Sequence, residues 1–344
     1  MVVSSFFRGG RLQVTIWFWV LFNLFILGML ALDLGVFHRR AHAISLREAA
    51  IWSAVWIALS LLFNLGIYLF AGSDYALAFL TGYLIEKALS VDNIFVMVLI
   101  FGYFGVAPKY QHRVLFWGII GALIMRGAFI VVGTVLLHKF HWVMYGFGAL
   151  LVITGTRMAF REEKPFDAEG NRLLRLARRL IPVTPQYHEK HFLVRHNGRI
   201  HATPLLLVLI LVEFTDLVFA VDSIPAVFAV TTETFLVYTS NVFAILGLRS
   251  LYFLLAGIVH KFRYLKYGLA FILVFVGVKM LLSDIQEVPI AASLIVIALS
   301  LTVSIAVSLI YPETDEVEED SPPDESPLVT PQSSYQQLRK RSTG

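Results

Sequence analysis

Carboxylates inside a long apolar stretch constrain this chain more than any other feature. The stretch covers about residues 76–106, long enough to cross a bilayer, yet it contains Glu86 and Asp92. A charged group at the centre of a membrane helix costs about 2.5–3.5 kcal/mol on the insertion scale, so such groups usually have partners or a function. A second copy of the pattern contains Asp216 and Asp222, which are again six residues apart. The sequence therefore predicts acids gathered inside a membrane protein.

The composition assigns the chain to the polytopic membrane proteins. Hydrophobic residues make up 58% of its 344 residues, whereas soluble domains contain about 45–50%. The chain has no cysteine, which excludes disulfides and thiolate metal sites and leaves oxygen and imidazole as metal ligands. The net charge of +4 says little by itself, because the basic residues are concentrated in particular connections.

Hydropathy predicts an all-α membrane protein with about nine transmembrane helices. The connections after spans 1, 3, 5 and 7 hold 17 Lys or Arg residues, and the opposite side holds three. By the positive-inside rule, the N-terminus then lies outside the cell and the C-terminus lies in the cytoplasm. The predicted spans are 13–36, 49–71, 76–105, 114–137, 141–160, 204–230, 234–259, 264–283 and 289–310.

Two longer segments lie outside the predicted spans. In the cytoplasmic loop 161–203, arginines interleave with leucines over 172–181, which is typical of an amphipathic helix on the anionic inner leaflet. An Asn-Gly pair at 197–198 predicts a β-hairpin in the same loop. Residues 312–344 contain eight acids and five prolines, which predicts a disordered cytoplasmic tail. Either segment is a candidate site for a protein partner, although a solvated surface is the simpler interpretation.

Spans 3–5 and 6–8 resemble each other beyond the acidic motif. Gly155 and Met158 recur as Gly277 and Met280, both at an offset of 122. An odd number of spans in each copy turns the second copy upside down relative to the first, and inverted repeats are an architecture of secondary transporters. The predicted organisation is 1–75 with two spans, 76–160 with the first three-helix repeat, 161–203 as the loop, 204–283 with the second repeat, 284–311 with the last span, and 312–344 as the tail.

The acids and the polar residues beside them form the predicted metal site. Residues six apart on a straight helix are separated by 240°, so the paired acids do not share a face. Either the helix unwinds between them, which Pro225 favours by freeing a carbonyl, or one acid meets a different partner. Oxygen ligands with a net negative charge suit Mn²⁺, Mg²⁺ or Ca²⁺. The predicted ligands are Glu86, Asp92, Asn93, Glu213, Asp216, Asp222 and Ser223, with Arg126 and Arg249 balancing their charge.

Four segments resemble a known family. They are AFLTGYLIEK at 78–87, VDN at 91–93, FAVDSIPA at 219–226 and SNVFAILGLR at 240–249. These segments closely resemble the TerC family of integral membrane proteins, in particular its Alx-like branch, and the resemblance covers about residues 32–310. It implies export of metal ions across the inner membrane, with manganese as the substrate. The family name comes from tellurite resistance, and the acidic tail is not part of the family pattern.

We therefore expect a transporter of divalent cations in the lipid bilayer, with Asp92 and Asp222 close together near the midplane. Mn²⁺ is expected as the substrate rather than as a cofactor, and inward proton movement is a candidate coupling. The alternative is a membrane scaffold or assembly factor that supports metallation of exported proteins or tellurite resistance, with the acids in structural ion pairs. An enzyme is not expected, because no nucleophile constellation or phosphate-binding loop accompanies the acids. A nucleic-acid partner is not expected either.

Overall fold

Helices dominate the part of the chain that the structure describes. The structure is a computed structural model, and it describes residues 7–8, 11–12, 14–37, 45–160, 175, 183–184, 191–196, 199–258, 262, 264–286 and 288–311, all within one compact unit. Its helices are α1 (Ile16–Phe37), α2 (Leu46–Ala71), α3 (Ser73–Tyr103), α4 (Pro108–Lys139), α5 (Trp142–Phe160), α6 (Pro204–Phe228), α7 (Thr234–Leu246), α8 (Leu248–Leu255), α9 (Leu265–Leu281) and α10 (Ile290–Ile310).

A helix occupies the position of every predicted span. Among the described residues, α2, α4, α5, α6 and α10 are long and apolar enough to cross a membrane, and the bent pair α7–α8 makes a sixth candidate. The protein is therefore a multi-pass membrane protein. The count of nine crossings stays a prediction, because α3 contains three charged residues near its middle and α9 has only 17 residues.

The break in the helical structure falls in a different span from the one that Pro225 suggested. Helix α6 continues through Pro225 to Phe228, so unwinding of this span was the wrong interpretation. The predicted seventh span, 234–259, is instead divided at Gly247 into α7 and α8, which are bent by 41°. Near this bend the Lys87 ammonium donates to the Ala244 carbonyl at 3.3 Å. A charged side chain from α3 thus binds a backbone oxygen in the last turn of α7.

Short strands occur at two places. Strand β1 (Phe7–Arg8) pairs with β2 (Arg11–Leu12), and β3 (Leu193–His196) pairs with β4 (Arg199–Ala202), both antiparallel. The second hairpin lies where the Asn-Gly pair predicts one. The predicted amphipathic helix over 172–181, apart from one residue, and the predicted tail over 312–344 lie outside the described residues.

The packing of the helices places α3 and α6 at the centre of the bundle. Helix α3 packs against α2, α6, α7 and α10, while α4 packs against α6 and α7. Helices α5 and α9 cross at glycines: a Cβ atom at Gly148 would lie 3.0 Å from the Gly277 carbonyl oxygen, and one at Gly155 would lie 2.8 Å from the Ala270 carbonyl oxygen. Only glycine permits this approach, so the repeated glycines are explained by a helix crossing.

Candidate functional site

Helices α3 and α6 each present one polar face to the centre of the bundle. Glu86 and Asn93 on α3 are seven residues apart, as are Asp216 and Ser223 on α6. Seven residues complete about two turns, so each pair lies along one face of its helix. All four side chains are buried. The shared face therefore consists of the first acid of each motif and the neutral residue that follows the second acid.

Arg126 of α4 joins these two faces, although its side chain is only 2% exposed. Its Nε and Nη2 atoms donate to the two carboxylate oxygens of Asp216 at 3.1 and 2.8 Å. Its Nη1 atom forms an ion pair with Glu86 and donates to the Ser223 hydroxyl at 3.3 Å. A guanidinium with two parallel bonds to a carboxylate is both strong and geometrically specific. One side chain thus connects α3, α4 and α6.

The Arg126 cluster, which we define as Glu86, Asn93, Arg126, Asp216 and Ser223, keeps a negative charge and spare acceptors. With both acids ionised, its two carboxylates and one guanidinium carry a formal charge of −1. The Asn93 amide donates to Asp216 at 3.2 Å. Among the described residues, Glu86 Oε2 and Asn93 Oδ1 have no hydrogen-bond partner. Unsatisfied buried acceptors in a site with surplus negative charge are groups that a cation or a proton would satisfy.

Asp222 lies outside this cluster and has its own partner. Its Oδ1 atom accepts a hydrogen bond from the Thr154 hydroxyl of α5 at 3.0 Å, and its side chain is partly buried. Of the two alternatives for acids six residues apart, the structure thus realises the second, in which each acid meets a different partner on a continuous helix. The sequence interpretation missed Thr154, whose signal was a hydroxyl directly before a repeated glycine in an otherwise apolar span.

Glu213 lies one turn before Asp216 on α6 and packs against α4 at Gly121. A Cβ atom at Gly121 would overlap the Glu213 carboxylate, so this glycine makes room for the acid. The Oε2 atom of Glu213 has no hydrogen-bond partner among the described residues. Glu213 is therefore a further, partly buried acceptor next to the Arg126 cluster.

The remaining predicted residues are Asp92 and Arg249. Asp92 is a partly buried residue of α3. Arg249, on α8, is buried and lines a small cavity together with Asp216. Proximity between Asp92 and Asp222 stays a prediction. Within the described part of the chain, no group of three His, Asp or Glu residues is arranged to hold a metal ion. The Arg126 guanidinium lies between Glu86 and Asp216 and forms an ion pair with each.

A separate polar cluster connects the N-terminal end of α5 to the segment that follows α9. His141 Nε2 lies 3.1 and 3.2 Å from the carboxylate oxygens of Asp284, and the Tyr145 hydroxyl donates to the same carboxylate. The hydrogen bond from Tyr145, followed by the one from His141, holds the pKa of the exposed Asp284 carboxyl below its usual range. These contacts bring the α4–α5 and α9–α10 connections together, so both connections lie at the same end of the bundle.

Comparison with known proteins agrees with this architecture. The model of the TerC family, described as "Integral membrane protein TerC family", matches residues 71–316. An uncharacterized membrane protein of Myxococcus xanthus is 54% identical over 85% of this chain and 92% of its own length. Proteins named "Putative membrane-bound redox modulator Alx" are 49% identical in Salmonella typhi, over 84% of this chain and 93% of the relative, and 50% identical in Escherichia coli K12, over 80% and 89%. No solved structure matches the chain. The chain belongs to the TerC family of integral membrane proteins.

Proposed function

We propose that this protein transports divalent metal ions, with Mn²⁺ as the exported substrate, across the inner membrane. The observation that carries the proposal is the buried Arg126 cluster, in which acids from two helices share one guanidinium. A buried ion pair adds little stability by itself, because the desolvation of its charges offsets their attraction. Ionisable groups inside a membrane bundle are typical of ion pathways. A function in cation transport explains why this chain keeps them.

In the proposed cycle, the metal ion and Arg126 compete for the same two carboxylates. In the structure described above, the guanidinium lies between Glu86 and Asp216. Binding of a divalent ion displaces Arg126 from these acids. Glu213, one turn before Asp216, is the nearest acid on α6 to receive the displaced guanidinium. When the metal ion leaves, the guanidinium returns to Glu86 and Asp216, and Glu213 loses its partner. A carboxylate without a cation in a poorly solvated site favours protonation, which links metal release to proton uptake.

We also infer that the two halves are inverted repeats around a pseudo-two-fold axis. Exchange of the halves turns α3 into α6, α4 into α7 and α5 into α9. The observed packing follows this exchange, because α3 packs on α7 as α6 packs on α4, while α5 packs on α9. Glu86 and Asp216, which both pair with Arg126, are the equivalent acids of the two copies. The distribution of Lys and Arg supports an outside N-terminus and a cytoplasmic C-terminus.

A scaffold or redox-modulating function is the second candidate, and the name of the Alx relatives favours it. This chain contains no cysteine, so its own residues cannot exchange thiols and disulfides. An effect on redox state would then require another species, and a transported metal ion is one such species. The two candidates differ in one respect, because only a transporter moves metal ions without other proteins.

Flux of Mn²⁺ into proteoliposomes that contain only this protein tests the proposal. We expect the unmodified protein to carry Mn²⁺, and Glu86→Gln and Asp216→Asn to abolish the flux while still eluting as folded protein. Asp74→Asn is the matched control, because Asp74 is an exposed acid in the first turn of α3. Absence of flux with the unmodified protein, or unreduced flux with both site variants, would contradict the transport function and favour the scaffold function.

A further inference from the structure

A small cavity adjoins the Arg126 cluster at Asp216. It lies between α3, α4, α6 and α8, and its polar groups are Asp216 and Arg249. Most of the other lining residues are apolar, and among them Met97 of α3 is the one residue with a sulfur atom. The cavity therefore gives access to one of the two carboxylates that Arg126 binds.

The cavity lies in the half of the bundle nearer the end that the Lys and Arg distribution assigns to the cytoplasm. Met97 lies in the last turns of α3, and the α4 and α6 residues of the lining lie in the N-terminal halves of those helices. These helix ends adjoin the basic connections at 104–113 and 161–203. An exported ion would enter from this end, so it would pass through the cavity before it reaches Asp216.

Met97 and Asn93 lie on the same face of α3, because residues four apart are neighbours on a helix. Asn93 donates to Asp216 at 3.2 Å, and its Oδ1 atom has no hydrogen-bond partner among the described residues. Asn93 is 3% exposed and Met97 is 5% exposed. A cation in the cavity would thus meet the Asp216 carboxylate together with the Met97 side chain, while Asn93 binds the same carboxylate from the neighbouring turn of α3.

We propose that Met97 is a specificity-determining residue that favours transition-metal ions such as Mn²⁺ over Mg²⁺ and Ca²⁺. This inference rests on the proposed transport function. Mg²⁺ and Ca²⁺ are hard ions that take oxygen ligands. A thioether is a soft ligand that suits Cu⁺ and Zn²⁺ best, but Mn²⁺, a transition-metal ion that also takes oxygen ligands, loses less affinity than Mg²⁺ or Ca²⁺ when one of its ligands is sulfur. One thioether among oxygens therefore penalises the hard ions, while the oxygens keep the site accessible to Mn²⁺.

Packing provides the competing explanation of Met97. Methionine is flexible and fills gaps in apolar cores without any part in metal binding, and Met97 belongs to a buried apolar cluster. The two explanations make different predictions for the replacement of sulfur by carbon at nearly constant volume. Packing alone predicts an unchanged preference among ions, whereas coordination predicts a changed one.

The test is ion selectivity in proteoliposomes, with Met97→Leu compared with Met280→Leu. Met280 of α9 is a matched control, since it is 2% exposed and is not part of the cavity lining. We expect Met97→Leu to lower the ratio of Mn²⁺ flux to Ca²⁺ flux by about tenfold, equivalent to the loss of one modest contact, and Met280→Leu to leave it unchanged. A Met97→Leu protein that carries Mn²⁺ with the unmodified ratio would overturn the proposal for Met97 alone.

A second measurement uses the unmodified protein and so does not depend on the folding of a variant. Cd²⁺ is a soft ion with a size close to that of Ca²⁺, and we expect it to inhibit Mn²⁺ flux at a much lower concentration than Ca²⁺ does. Equal inhibition by Cd²⁺ and Ca²⁺ would refute a thioether ligand. The absence of any Mn²⁺ flux would instead refute the proposed transport function, so the two failures are distinguishable.

Discussion

Replacement of Arg126 is the most direct perturbation of the central cluster. In Arg126→Gln, the two ion pairs with Glu86 and Asp216 are lost and both acids remain buried. At an effective dielectric constant of 20, each pair contributes about 4 kcal/mol of attraction at 4 Å. Release of the guanidinium from burial returns part of this energy, because the desolvation of an ion costs several kcal/mol. We therefore expect a net destabilisation of about 3–5 kcal/mol, as for other buried pairs that lose one partner.

Thermal unfolding in detergent micelles, followed by the fluorescence of the six tryptophans, measures this effect. The scaling for soluble domains of 150–250 residues, about 2–4 °C per kcal/mol, predicts a fall in melting temperature of at least about 6 °C. Arg157→Gln is the matched control, because Arg157 is an exposed arginine at the end of α5. Its melting temperature should stay close to that of the unmodified protein.

Neutralisation of the whole cluster separates charge from shape. The triple variant Glu86→Gln, Arg126→Gln, Asp216→Asn removes all three charges and keeps side chains that form hydrogen bonds. Replacement of a complete buried ion network is often neutral for stability, so this variant should recover most of the loss seen with Arg126→Gln. A triple variant no more stable than Arg126→Gln, or an Arg126→Gln protein as stable as the unmodified one, would refute the electrostatic account.

Three further predictions concern packing, pH and topology. Gly148→Val should destabilise the packing of α5 on α9 by about 1–3 kcal/mol, because its side chain would meet the Gly277 carbonyl. Gly146→Val should not, because no atom lies within 4 Å of the added Cβ. Melting temperatures compare the two variants. The lowered pKa of Asp284 means that its contacts stabilise the fold above about pH 4 and are lost as the pH falls through the folded-state pKa. The melting temperatures of Asp284→Asn and the unmodified protein should accordingly converge in acid. Single cysteines at Thr232 and in the 161–203 loop should react from opposite sides of the membrane, and labelling of both from outside intact cells would contradict the proposed topology.

Much of the fold could be predicted from the sequence, because burial in lipid imposes a strong pattern on composition. Every predicted span is matched by helical structure, and the boundaries differ by a few residues. In the seventh span, the helical structure is divided into two helices. Its break at Gly247 involves Lys87 of α3, whose ammonium binds the Ala244 carbonyl from another span. The local sequence favoured a break near Pro225, because a proline can be recognised in the sequence, whereas a contact between distant spans cannot.

The candidate site was predictable in its members and not in their arrangement. Glu86, Asp216 and Arg126 were identified because charged residues are rare in apolar spans, and the structure brings them together. The separation of Asp222 from these residues was not predictable, because it depends on the position of α5, which brings Thr154 to that face of α6. Periodicity specifies which residues share a helix face, but the partner of each face depends on how the helices cross.

The position of the Arg126 cluster across three helices also has a consequence for synthesis in the membrane. Helix α3 contains Glu86, Lys87 and Asp92, and on the insertion scale these would together cost roughly 8–10 kcal/mol for an isolated helix. Arg126 is made 40 residues after Glu86 and Asp216 is made 130 residues after it. At about 5–20 residues per second, these partners follow after about 2–8 s and about 7–26 s. We therefore expect the insertion machinery to hold helix α3 until α4 arrives. The resulting α3–α4 hairpin is then held until α6 is made, because α6 carries the last charge of the cluster.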